Sequence, residues 1–125
     1  MIGELPDTRG SNVPGVISPT IELLVVPDCA HEALARAALE DALQRLGLDT
    51  AAYQVVTIRT QDQAHERAFV GSPSFFINGR DLFPSTSGPA IACRVYSIAG
   101  RLAGTPGVDA LVAALKDGLQ ASQRR

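Results

Sequence analysis

The chain lacks tryptophan, has one methionine and 5% aromatic residues, and carries only two cysteines among its 125 residues. Two thiols, Cys29 and Cys93, cannot build a disulfide framework; in a reducing compartment they read as core or reactive groups. Charge is also sparse: 19% of residues, 13 acidic against 11 basic, net −2. That balance fits neither a disordered chain nor a polybasic nucleic-acid binder. No apolar run approaches the roughly 20 residues of a membrane-spanning helix. Met1 to Asp7 shows no basic segment leading into an apolar one, so a cytoplasmic location is the expectation, with no membrane partner. There is no P-loop, no glycine-rich dinucleotide fingerprint and no Ser-His-Asp pattern. Cys29 and His31 offer two ligands where a closed zinc site takes four, so neither metal nor cofactor is expected.

What is present is an apolar fraction of 46%, enough for one domain with a sizeable core. Residues 1–19, with three prolines and three glycines, read as a flexible tail, residues 20–119 as the domain, and residues 120–125 as a polar C-terminal tail. Thr20 to Val26 is a β-prone apolar run suited to a strand buried on both faces. From Ala30 to Leu46 the residues Leu34, Ala35, Ala38, Leu39, Ala42, Leu43 and Leu46 recur at helical spacing. Asp28 is placed to cap that helix and Gly47 to end it, with Arg36 and Glu40 as an i,i+4 pair on its solvated face. Tyr53–Ile58 reads as a second strand and Gln61–Phe69 as a short helix. Ser74–Ile77 and Asp81–Phe83 flank Asn78-Gly79, the strongest short hairpin signal, so those strands should be antiparallel. Thr105 as N-cap and Pro106 as first helical residue mark a last helix. Residues 84–104 stay open between a helical turn and an edge strand around Ile91–Ile98.

Two segments carry chemistry. In Val25-Val26-Pro27-Asp28-Cys29-Ala30-His31-Glu32 a cysteine lies between a strand end and a helix start. There it faces unsatisfied N–H groups and the positive end of the macrodipole, which favour a thiolate. His31 can serve as a nearby cation or proton partner. The second segment is Gly71-Ser72-Pro73-Ser74-Phe75-Phe76-Ile77-Asn78-Gly79.

Together with the element order, these segments resemble the thioredoxin-like superfamily. Residues 71–74, 78–81, Cys93-Arg94-Val95-Tyr96 and 102–106 are similar to a small bacterial thioredoxin-like group, some of whose members bear an alkylmercury lyase label. The resemblance implies an α/β fold of three layers, with a mixed central sheet of about four strands and helices on both faces. It implies that Cys29 is the attacking thiol and that Pro73 is cis and lies beside it. Ser72 and Pro73, with Pro27 and Asp28, are then the substrate-contacting candidates, and the partners are protein or low-molecular-weight thiols and disulfides, a homodimer remaining an option.

One departure limits the chemistry: Glu32 stands where a C-x-x-C site has its second cysteine, so a dithiol mechanism within the motif is excluded. Three alternatives remain. Cys29 works as a monothiol, Cys93 resolves its mixed disulfide, or the fold is kept without redox activity as a binding module. A soft-metal or organomercurial role for Cys29 and Cys93 is a further rival. By its setting in Ile91-Ala92-Cys93, Cys93 itself reads first as a buried structural thiol.

Overall fold

The structure, a computed structural model, describes residues 19–98 and 100–123; the expected tail of residues 1–19 lies outside them except for Pro19. Among the described residues the elements follow in the order β1 (Ile21–Val25), α1 (Glu32–Arg45), β2 (Gln54–Thr57), α2 (Gln61–Arg67), β3 (Ser74–Ile77), β4 (Arg80–Asp81), β5 (Tyr96–Ile98), β6 (Arg101–Ala103) and α3 (Val108–Gln123).

The first four strands form one mixed sheet in the order β2-β1-β3-β4. β1 is parallel to β2, with Glu22 opposite Gln54, and antiparallel to β3, with Leu23 opposite Phe75. The β3–β4 hairpin turns through Asn78 (φ 52°) and Gly79 (φ 80°), the pair of left-handed residues its sequence leads one to expect.

Alternation along the strands divides the core in two. On one face Ile21, Leu23, Val25, Phe75 and Ile77 pack with Leu39 and Leu43 of α1 and Leu111 and Leu115 of α3. On the other, Leu24 and Phe76 pack with Ile58, Phe69 and Ala64 of α2. The chain is thus a mixed α/β fold with helices on both faces of the sheet.

Several boundaries differ from expectation for local reasons. α1 starts at Glu32, with His31 as an N-cap that makes no side-chain hydrogen bond. Asp28 does not cap it: Asp28 sits four residues earlier with φ 58°, turning the chain between β1 and α1. The C-terminal end does follow expectation, since Gly47 (φ 74°) carries a Schellman pair, Gly47 N–H to Gln44 and Leu48 N–H to Leu43. Arg36 approaches Glu32 at 3.8 Å, while Glu40 accepts from the Tyr53 hydroxyl at 2.6 Å, so the expected Arg36–Glu40 pair is replaced. α2 ends two residues early at the left-handed Ala68.

β4 ends at Asp81 rather than running to Phe83, because the Asp81 carboxylate accepts the Phe83 N–H at 2.9 Å and bends the chain. α3 begins at Val108, not Pro106: the Gly107 carbonyl accepts the Leu111 N–H, leaving Pro106 buried ahead of the cap. That helix continues to Gln123, through most of the expected polar tail. The open segment resolves into a bridge at Cys93 followed by the β5–β6 hairpin.

Candidate functional site

Cys29 follows β1 by four residues. Val25 closes the strand, the Val26 N–H donates to Ser72 Oγ at 3.0 Å, and Pro27 and Asp28 form an exposed turn. Cys29 is half-buried, packs on the α1/α3 side of the core, and its carbonyl accepts the Glu32 N–H at 3.2 Å. Its thiol therefore sits just ahead of a helix whose first turn has no side-chain cap. Among the described residues no hydrogen bond joins His31 to the Cys29 sulfur. The His31 imidazole instead lies over Gly104, where a Cβ would fall 2.5 Å from Nε2. Glycine at 104 is what admits the ring.

The second expected segment meets the first through Ser72. Ser72, Pro73 and Ser74 are buried, and the Ser72–Pro73 peptide is cis, as the resemblance implies. The Ser72 hydroxyl ties this loop to Val26, and so to the chain leading into Cys29. The main chain of Ser72 is occupied as well: its N–H donates to the Ala92 carbonyl at 2.8 Å, and its carbonyl accepts the Arg94 N–H at 2.9 Å. This is a parallel bridge between Ser72 and Cys93.

Cys93 is exposed, which corrects the expectation of a buried structural thiol. Ile91, Ala92 and Cys93 are all exposed because their segment is held by its main chain and by Arg94, not by apolar side chains.

Arg94 is the residue that sequence reasoning missed. Only 8% of its side chain is exposed, and its guanidinium donates to Asp81 Oδ2 at 2.8 Å, to Ser74 Oγ at 2.9 Å and to the Phe83 carbonyl. It also stacks 4.6 Å from the centre of the Tyr96 ring. The Tyr96 hydroxyl donates to the Pro73 carbonyl, and burial raises its pKa well above the ordinary tyrosine value, keeping the phenol protonated as a donor. Arg94 thus joins β4, the Ser72–Ser74 loop and β5 into one polar cluster. A single arginine inside Cys93-Arg94-Val95-Tyr96 has no periodic signature that would mark it as buried.

Because β1 ends where antiparallel β3 begins, Cys29, Ser72 and Pro73 lie at the same end of the sheet, Cys93 is bridged to Ser72, and Pro27 and Asp28 lie in the exposed turn after β1. Among the described residues no group of three or more His, Cys, Asp or Glu side chains gathers as a metal-ligand set. Nor is any helix among them long and apolar enough to cross a membrane. No family model matches the chain, and no curated protein matches it.

Proposed function

We propose that the chain is a thioredoxin-like thiol–disulfide exchange protein acting through Cys29 alone. The observation that carries this reading is the hydrogen bond from Val26 to Ser72 Oγ, which holds the strand leading to Cys29 against the Ser72–Pro73 loop. Support also comes from the sheet order β2-β1-β3-β4, with one parallel pair followed by an antiparallel hairpin, and from the half-buried setting of Cys29 ahead of an uncapped helix.

In the reaction the Cys29 thiolate attacks one sulfur of a disulfide RSSR, forming the protein–S–S–R bond and releasing RS⁻. A second thiolate, R′S⁻, attacks the outer sulfur, forms RSSR′ and returns the electron pair to Cys29. Glu32, 3.8 Å from Arg36, has no sulfur with which to take that second role.

The test is site-resolved mass spectrometry of mixed-disulfide formation with bis(2-hydroxyethyl) disulfide, using wild type, Cys29→Ser and Cys93→Ser. Cys29 is expected to react faster than Cys93 although Cys93 is the more exposed thiol. The reverse order, simple accessibility, would overturn the reading and leave the rival in which the fold serves as a redox-inactive binding module.

A further inference from the structure

An exposed strand edge offers an incoming peptide a row of N–H and C=O groups, and pairing with that row is a general way of holding an extended polypeptide. At Ser72, whose hydroxyl accepts the Val26 N–H, both main-chain groups are already used by the chain's own Ala92 and Arg94. The N–H has one hydrogen, so while it bonds Ala92 no second strand can take it.

We propose that Ala92–Arg94 is a built-in strand that permanently fills this edge, with Arg94 as the positioning residue that keeps it there. Four observations carry the proposal. The segment runs beside residues 69–72 for some length, since the Ala90 N–H also donates to the Phe69 carbonyl at 3.0 Å. The Arg94 guanidinium is buried and anchored on Asp81, Ser74 and Phe83, three points outside the segment. Gly71 is fitted to it, because a Cβ there would lie 2.9 Å from Arg94 Cβ and 3.2 Å from its Cα. The side chains of Ile91, Ala92 and Cys93 contribute little, being exposed. The strap is therefore held by polar bonds to the fold.

A strap so anchored closes the Ser72 edge to polypeptides that bind by strand pairing. On the reading of Cys29 as the exchanging thiol, on which this step rests, the substrates are low-molecular-weight disulfides and thiol adducts, which need no such edge.

Two measurements on the full chain test it separately. Amide hydrogen exchange by NMR reads the strap directly: the Ser72 and Arg94 N–H groups should be protected, and Asp81→Asn or Arg94→Ala should cut that protection by about tenfold or more beyond any loss at Leu23 and Phe75, whose core amides follow global stability. Asp81→Asn is the milder change and keeps the test valid where Arg94→Ala does not fold. Unprotected Ser72 and Arg94 amides in the wild type would overturn the strap. The second measurement compares, with reduced glutathione as the second thiol in both assays, reaction with bis(2-hydroxyethyl) disulfide and reduction of insulin. Wild type should act on the small disulfide only, and Asp81→Asn should gain on insulin without loss on the small disulfide. Equal action of the wild type on both would overturn the proposed substrate class. A chain inert to both refutes exchange at Cys29, and the amide result still decides the strap.

Discussion

Replacing Arg94 by methionine keeps most of the aliphatic stem and removes the charged head. That head is 8% exposed and its partner Asp81 is 14% exposed, so the change leaves a carboxylate mostly cut off from water. Removing one member of such a buried pair costs about 3–5 kcal/mol, chiefly the penalty of the stranded charge. Asp81 keeps a little solvent contact and still accepts the Phe83 N–H, which places the expected loss near the lower end, about 3 kcal/mol. With a urea m-value of about 1.5 kcal/mol/M, the midpoint falls by about 2 M.

The matched control is Arg45→Met. Arg45 is 51% exposed and pairs with Asp41 at 3.2 Å and with Asp109 at 3.0 Å, and exposed pairs of this kind contribute about 0.2–1 kcal/mol each. A double variant, Arg94→Met with Asp81→Asn, should lose clearly less than the sum of the two single losses, because the neutral amide no longer strands a charge. Equal midpoint shifts for Arg94→Met and Arg45→Met, or strict additivity in the double variant, would refute the assignment of Arg94 as a buried anchor.

Tyr96 predicts the alkaline limb of stability. Its folded pKa is raised by burial, so above about pH 10 the unfolded phenol ionises while the folded one keeps its proton. Stability is then fully present below pH 10 and falls above it by about 1.4 kcal/mol per pH unit. Tyr96→Phe should flatten that fall in pH-dependent urea melts, although it also removes the hydrogen bond to Pro73. Gly104→Ala should lower the melting temperature because its Cβ meets the His31 ring, and the loss should vanish in a His31→Ala background. A loss that persists there would place the strain elsewhere. Thr60→Ala should cost about 1 kcal/mol in the same melts, since Thr60 and Gln63 form a complete capping box at the start of α2.

At three places where residues act on their near neighbours, the sequence by itself determined the outcome. The β-prone run around Leu23–Val25 became the central strand, Asn78-Gly79 made the hairpin, and Gly47 ended α1, because local φ preferences and side-chain period act over a few residues. Cap positions were less legible: Asp28 and Thr105 are good N-cap types, but His31 and Gly107 hold those places, since tertiary packing sets where the first turn begins.

Only the tertiary structure decided the state of residues 84–104 and the standing of Cys93. Ile91-Ala92-Cys93 looks apolar enough to bury, yet Arg94 is the residue that goes inside, because Asp81, Ser74 and Phe83 converge from distant positions to receive its charge. That compensation depends on long-range contacts, and without it a buried guanidinium would be prohibitively costly. The scarcity of cysteine limited the chemistry to one or two thiols from the outset. The structure separated them: Cys29 lies half-buried ahead of a helix, and Cys93 lies exposed in an isolated bridge to Ser72.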